Sequence, residues 1–333
     1  MFERFLGQNL SVSAISYGAM GLSEFYGAAL PDEEALRVLE RALELGVTMF
    51  DTADMYGLGH NEMLIGRFVK SHQADLAAGR IKIATKFGIE RYEGSYKRHI
   101  NNSPQYIRRA CENSLRRLGL DRIDLYYAHR IDAEADITET VGVLGELVRE
   151  GKIAHIGLCE ISAKTLAQAH QIHPVSAVQS EYSLWTRDME AELLPLCREL
   201  GIGFVAYSPL GRGFLSGQYT SIANLADDDF RRSNPRFQDE NLRRNLILVE
   251  EMKNLAAAHA CTPAQLALAW LLSRYEKLAV IPGTRHLERL EENCAAAEIA
   301  LSDYEITRLE GIFRPEAVYG QRYTPEGLKG VGA

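Results

Sequence analysis

Asp51, Tyr56, Lys86 and His129 are the residues whose types and placement could do chemistry together. Three of them end apolar runs: VTMFD closes on Asp51, IKIATK on Lys86 and IDLYYAH on His129, and Tyr56 follows in the loop DTADMYG. Taken singly, each has a bland explanation as a strand terminator, a loop aromatic or a satisfied core histidine. Lys86 is harder to dismiss, because an ammonium after IKIAT lies in a buried mouth and needs a carboxylate, for which Asp51 one strand over is the obvious partner. Together they suit the reduction of a carbonyl group, which requires a proton donor as hydride arrives and oxygen becomes negative. A free tyrosine with a pKa of ~10 is a weak acid for this purpose. A nearby lysine cation favours the phenolate and lowers that pKa. Asp51 would hold Lys86 charged and placed, and a neutral His129 could hydrogen-bond the carbonyl oxygen.

Such residues must be brought to one rim, and the chain carries the elements to do it. Eight short apolar runs read as strands: residues 14–20, 47–51, 81–87, 123–129, 153–159, 175–180, 203–208 and 278–283, with helical spacing between them. Runs apolar at successive positions suit parallel strands buried on both faces, and strand–helix alternation demands crossover connections. In a barrel of this kind the C-terminal strand ends form the active face. The helices have their own punctuation. Asp32 opens a stripe of Ala35, Leu36, Leu39, Ala42 and Leu43 that Gly46 ends, Thr262 and Ser302 begin capping boxes, and Ser103-Pro104 starts a further helix. The spacing breaks at residues 217–245, a polar, turn-rich stretch expected to form a loop inserted over the active site.

The 333 residues, 46% hydrophobic and 25% charged, fit one globular domain spanning 1–333. A net charge of -8 argues against nucleic-acid or anionic-membrane partners. Five scattered cysteines without a CxxC pair fit reduced thiols in a cytoplasm, and the N-terminus lacks a signal-peptide run. No apolar stretch reaches the ~20 residues needed to span a bilayer.

The order of the motifs GAMGLS (18–23), FDTADMYG (50–57), NEMLIGR (61–67), TKFG (85–88), YYAHRID (126–132), EGKIAHIGLCE (150–160), QSEYSLWTRD (179–188), YSPLGRGFLSG (207–217) and IPGT (281–284) resembles the aldo-keto reductase superfamily. The likeness covers nearly the whole chain and is closest to the plant and bacterial perakine-reductase-like and auxin-induced-type branch. It implies an α/β fold, a parallel (β/α)8 TIM barrel with an N-terminal β-hairpin and extra C-terminal helices. It implies Tyr56 as general acid, Lys86 and Asp51 as its tuning pair, and His129 as the substrate-orienting residue.

The chain has no dinucleotide fingerprint, since Gly211-Arg212-Gly213 is followed by Ser216 where a third glycine is required. The resemblance instead implies NADPH laid across the barrel mouth. Tyr207 would stack on the nicotinamide, Gln179 would bond its carboxamide, and Ser208, Pro209, Leu210, Gly211, Arg212 and Gly213 would follow the pyrophosphate. Gly283, Thr284, Arg285, Arg289, Glu292 and Asn293 would receive the 2′-phosphate and adenine, unless Arg285 and Arg289 are simply a solvated helix face balanced by Glu288, Glu291 and Glu292. At the nicotinamide-amide position, often serine in relatives, this chain has Cys159, a poorer hydrogen-bond partner.

Rival readings are weaker. His170 with His173, and His60-Asn61-Glu62, hint at a metal, but the first pair straddles a predicted helix end before Pro174, the triplet lacks the later cysteine pair of a zinc deaminase, and no GxSxG elbow is present. A nicotinamide-sensing subunit on the same fold, or alcohol oxidation as the working direction, would keep every motif. Phe25, Tyr26, Phe87, Trp185 and the 217–245 stretch are expected to set specificity for a small carbonyl substrate of apolar or aromatic character. The sequence leaves oligomeric state open.

Overall fold

The computed structural model describes residues 1–93, 97–132 and 134–333. Eight of its strands, β3 (Tyr17–Gly18), β4 (Met49–Asp51), β5 (Lys82–Phe87), β8 (Ile123–Ala128), β9 (Ile153–Cys159), β10 (Ala177–Glu181), β11 (Gly203–Tyr207) and β12 (Leu278–Val280), pair in that order, all parallel. The sheet closes where Ile15 bridges Val280, with Ser16 N donating to Val280 O at 2.8 Å and Val280 N to Ala14 O at 3.0 Å. All eight strand assignments from sequence are met, and the expected (β/α)8 barrel is formed.

Helices α1 (Asp32–Glu44), α2 (His60–Ser71) with the short α3 (Gln73–Ala77), α4 (Pro104–Leu118), α5 (Ile137–Arg149), α6 (Ala163–Ile172) and α7 (Leu193–Leu200) follow successive strands, and α10 (Leu287–Ala295) follows β12. Between β11 and β12 lie two helices, α8 (Asp239–Ala258) and α9 (Pro263–Arg274), and α11 (Asp303–Ile312) packs on α8 near the C-terminus. Both capping boxes form, at Thr262 and Ser302. Asp32 does not cap α1: Pro31 holds that position, and the Asp32 carboxylate instead meets His60 and Arg67. The 217–245 stretch is loop only to Gln238, with short 3-10 turns, because α8 begins at Asp239.

Strand alternation sorts the core into two compartments. One set, including Phe50, Ile83, Phe87, Tyr126, Ile156, Leu158, Phe204 and Val280, belongs to the apolar layer under the helices. The other, Met49, Ala84, Leu125, Tyr127, Cys159, Ala177, Val205 and Ala279, fills the barrel itself. Leu6, Leu10 and Val12 join it from an antiparallel hairpin of β1 (Glu3–Leu6) and β2 (Leu10–Ser13), which plugs the N-terminal end. Tyr127 fits inside because β9 offers Gly157 beside it: a Cβ there would stand 2.2 Å from the Tyr127 ring. A second small hairpin, β6 (Ile89–Glu90) and β7 (His99–Ile100), precedes α4 at the C-terminal rim. No single helix among the described residues is long and apolar enough to cross a membrane.

Candidate active site

The inward period-two positions, continued to the strand ends, give the floor of the site. From Met49 the next inward residue is Asp51, from Ala84 it is Lys86, from Tyr127 it is His129, from Ala177 it is Gln179 and from Val205 it is Tyr207. Lys86 is fully buried, and its Nζ donates to Asp51 Oδ1, to Thr52 O at 2.7 Å and to the Tyr56 hydroxyl at 3.5 Å. Asp51 Oδ2 accepts from Gln179 Nε2 at 2.8 Å. The Tyr56 and His129 rings meet edge to face, 5.8 Å apart and 85° inclined. The four residues predicted to act together are therefore in mutual reach.

Tyr56 sits on a 3-10 turn after β4, and buried polar contacts fix that turn. Thr52 Oγ1 donates to Asn61 Oδ1 at 2.6 Å, and Asn61 Nδ2 reaches Ala19 O at 2.9 Å and Ser23 Oγ at 2.7 Å. Glu62 accepts from Thr85 Oγ1 and from Arg117 Nε, each at 2.6 Å, which ties the strand carrying Lys86 to the helix following Tyr56. His60 lies between Ser23 Oγ and Asp32 Oδ1 at 3.0 Å from each. The His60-Asn61-Glu62 triplet thus anchors the loop, and His170 Nδ1 accepts from Val175 N at 3.1 Å.

Burial sets the charge states. It opposes the Lys86 cation, but Asp51 and Tyr56 outweigh it and hold the lysine pKa above its usual value. Burial pushes the Tyr56 phenol up to about 12 against the pull of Lys86. The net shift is thus opposite to the lowered pKa expected from sequence, although the lysine acts in the expected direction. Tyr56 holds its proton at neutral pH. Burial, reinforced by the cations Lys86, Arg130 and Arg98, holds His129 well below the usual histidine range, and so neutral. Burial likewise pushes the Cys159 thiol up to about 12.

A cavity of about 630 Å³ runs from these residues across the mouth, within the range of sites for cofactors and small molecules. Asp51, Tyr56 and His129 line one end. Cys159, Gln179, Tyr207, Ser208, Pro209, Leu210, Arg212, Gly213, Gly283, Thr284, Arg285, Arg289, Glu292 and Asn293 line the rest. Gly211 does not: it lies against Trp185, where a Cβ would stand 2.4 Å from the indole nitrogen, so its glycine serves packing. The Arg212 guanidinium is committed to Glu181 by two bonds of 3.0 and 2.7 Å, leaving only backbone to offer a phosphate. Gln179 has its amide nitrogen on Asp51. Arg285 and Arg289 are no solvated face balanced by neighbouring acids. Arg285 donates to Gly21 O and Ala28 O, with its Nη2 buried and unpartnered among the described residues, and Arg289 donates to Gln218 at 2.7 Å. Glu291 is taken by Arg41, and Glu292 accepts from Thr262.

Of the residues expected to set specificity, Phe25 and Tyr26 line the cavity, as do Gln218, Tyr219, Phe230 and Arg231 from the 217–245 stretch. Phe87 and Trp185 do not. Phe87 stacks on Tyr126 under the helices, and Trp185 stacks on Phe214 at 4.2 Å, so both are core. Sequence reasoning missed Arg98, Arg130 and Tyr323, which also line the cavity. Tyr323 comes from the C-terminal tail, its hydroxyl 3.0 Å from that of Tyr207, and its neighbour Arg322 binds Glu160 through two bonds of 3.1 and 2.7 Å. Glu160 held the clue: an acid directly after an apolar strand is buried and requires a cation.

The geometry has close counterparts. The sequence profile of the Aldo/keto reductase family matches residues 14–314. A probable aldo-keto reductase of Glycine max is 45% identical over 316 residues, covering 95% of this chain and 90% of its own. A glycerol dehydrogenase from Gluconobacter oxydans superposes with a TM-score of 0.85 at 26% identity, over 94% of this chain and 96% of its own. An aldo-keto reductase from Bacillus halodurans, in its holo form, gives 0.80 at 28% identity over 97% and 99%. This chain, an eight-stranded parallel barrel with a lysine–carboxylate pair and a tyrosine at its rim, matched to this profile along nearly its full length, belongs to the aldo/keto reductase family, with the nicotinamide-dependent carbonyl chemistry that membership implies.

Proposed function

We propose that residues 1–333 act as one barrel domain that reduces an aldehyde or ketone to the alcohol with NADPH, with Tyr56 as the proton donor. The observation that carries this reading is the juxtaposition of a buried, protonated Tyr56 with Lys86 Nζ at 3.5 Å, itself bonded to Asp51. When bound, NADPH supplies the hydride. Tyr56 gives its proton to the oxygen that becomes negative, and the fixed Lys86 charge lowers the cost of the phenolate left behind. Neutral His129, at the Tyr56 ring edge, orients the carbonyl without competing as an acid.

The cavity fits an extended dinucleotide. Tyr207 offers a ring face near Cys159 and Gln179, backbone from Ser208 to Gly213 suits the pyrophosphate, and Arg285 with Arg289 suits a 2′-phosphate through charge-assisted bonds. The Nη2 of Arg285, buried and without a partner among the described residues, supports that assignment and with it NADPH over NADH. The unpaired cysteines accord with a cytoplasmic protein. The test is the loss of NADPH absorbance with an activated aromatic aldehyde, with an NADH control and Tyr56→Phe. Removing a general acid lowers kcat by about 10²- to 10⁴-fold while NADPH binding persists. Normal turnover by Tyr56→Phe would overturn the assignment, and tight NADPH binding without turnover would favour a nicotinamide-sensing role.

A further inference from the structure

The catalytic end of the cavity carries two cations that the chemistry above does not use. Arg130 follows His129 at the end of β8 and is 5% exposed. Its Nη1 donates to His129 O at 2.7 Å, and its Nε is buried and without a partner among the described residues. Arg98 reaches the same cavity from the β6–β7 loop, close enough to Arg130 for the two charges to interact and close enough to His129 to disfavour its protonation. Like charges brought together out of water are unfavourable unless an anion joins them.

Glu160 lies near enough to Arg130, and Glu326 to Arg98, for their charges to attract, but among the described residues no carboxylate is directly paired with either guanidinium. Each nearby carboxylate has its own base: Glu160 has Arg322, Glu181 has Arg212, Asp51 has Lys86, Glu24 has Arg91, and Glu326 has Lys329 at 2.7 Å while also accepting from the Arg98 backbone. No ion pair within 4 Å joins Arg98 or Arg130 to any of them. The cofactor phosphates, on the proposed reading, belong to the far end at Ser208–Gly213, Arg285 and Arg289. What remains beside Tyr56 and His129 is the space for the substrate, walled by Phe25, Tyr26, Phe230 and Tyr323.

We propose that Arg98 and Arg130 bind an anionic group of the substrate, so that the carbonyl compound reduced at Tyr56 carries a carboxylate or a phosphate beyond an apolar or aromatic body. Two guanidiniums lining the same cavity within range of each other's charge suit the planar, bidentate recognition of such an oxyanion. The inference rests on the reductase reading and narrows its substrate class.

The experiment compares kcat/KM, at saturating NADPH, for para-formylbenzoate, para-formylphenyl phosphate and the neutral methyl para-formylbenzoate. Wild type should prefer one charged aldehyde, and the identity of that aldehyde separates carboxylate from phosphate. In Arg98→Met the charged-to-neutral ratio should fall about tenfold to a hundredfold, the size of one charge-assisted hydrogen bond. Arg130→Lys, which keeps charge but loses the fork, should lose less than Arg130→Met. A ratio that is near one in wild type, or unmoved in Arg98→Met, overturns the proposal and leaves the reductase reading standing. Loss of NADPH affinity by the same factor would assign these arginines to the cofactor and also overturn it. Absence of Tyr56-dependent turnover of any aldehyde would sink the reductase reading alone. Benzoate against benzamide binding to the NADPH-loaded protein, read from nicotinamide fluorescence, then decides: benzoate preference weakened in Arg98→Met supports the anion site, and equal binding removes it.

Discussion

Replacing Lys86 by methionine should deepen the pH-dependent cost of burying Asp51. Asp51 is 2% exposed, and burial already raises its carboxyl above the usual range with the lysine beside it. Without the cation only Gln179 remains on Oδ2, and the carboxyl takes a proton to remain buried. In the unfolded chain the same group ionises near pH 3.9. A folded-state pKa raised above the unfolded one costs nothing below about pH 4 and then about 1.4 kcal/mol per unit as pH rises, until the folded group itself ionises. The cost is about 1.5 kcal/mol at pH 5 and, if protonation persists to neutrality, about 4 kcal/mol at pH 7. The second figure agrees with the roughly 3–5 kcal/mol typical of breaking a buried pair. Lost packing and the abandoned bond to Thr52 O add a part that does not vary with pH. Urea unfolding followed by Trp185 and Trp270 fluorescence, for wild type and Lys86→Met at both pH values, isolates the charge contribution. The deficit should grow between pH 5 and 7, by at most about 2.5 kcal/mol because wild type already bears part of the cost, and Asp51→Asn added to Lys86→Met should abolish that growth. A deficit equal at the two pH values would refute the reasoning.

Two further outcomes follow from the charge states and the cavity. His129 is held neutral, so kcat/KM should run flat from pH 8 through 6, and an inflection near 6.5 that disappears in His129→Asn would contradict this. The same depressed pKa means that the unfolded chain gains its His129 proton first, so this residue contributes a loss of stability only as pH falls below about 6.5. Arg289→Ala should raise the Kd for NADPH by about tenfold or more while changing that for NADH much less, since one charge-assisted bond to phosphate is worth about 1.5–3 kcal/mol. Equal losses for the two cofactors, measured by fluorescence titration, would remove the 2′-phosphate assignment.

What was legible in the sequence follows from what periodicity encodes. Asp51, Lys86, His129, Gln179 and Tyr207 each continue a strand in steps of two from a residue inside the barrel, so a reading of strand ends finds them without knowledge of tertiary contacts. Arg98 sits in a polar loop with no periodic neighbour, and Arg322 and Tyr323 come from a tail that only the closed fold brings back to β9 and β11. Arg212 was found and lines the cavity, but the partner of its guanidinium, like the indole against which Gly211 packs, was not foreseen. Sequence shows a glycine and a base after a strand, whereas the competing partners, Trp185 and Glu181, lie on the neighbouring strand and its loop. Phe87 and Trp185 show the same limit, because an aromatic at the edge of a strand can turn to either compartment.

The mouth also departs from strand periodicity in a way that explains its charge. Glu160, Ser208 and Arg212 adopt positive φ of 52°, 48° and 59°, a conformation costing roughly 1–3 kcal/mol for a residue with a side chain. Strict alternation after the inward Cys159 would send Glu160 to the helical layer. The left-handed turn breaks that alternation, and the carboxylate instead accepts from Glu181 N at 2.8 Å and from Arg322. Glu181, inward by period two from Gln179, takes Arg212 in the same manner. Each strained strand end is thus held by a buried bidentate pair whose rupture would cost about 3–5 kcal/mol, more than the strain it offsets. These two acids are bonded to the bases that fix the loop after β11 and the C-terminal tail, and Glu160 reaches Arg130 through its field and not through a direct ion pair. A chain with a net charge of -8 thus still places the guanidiniums of Arg98 and Arg130 on the cavity wall, free of direct ion pairs among the described residues.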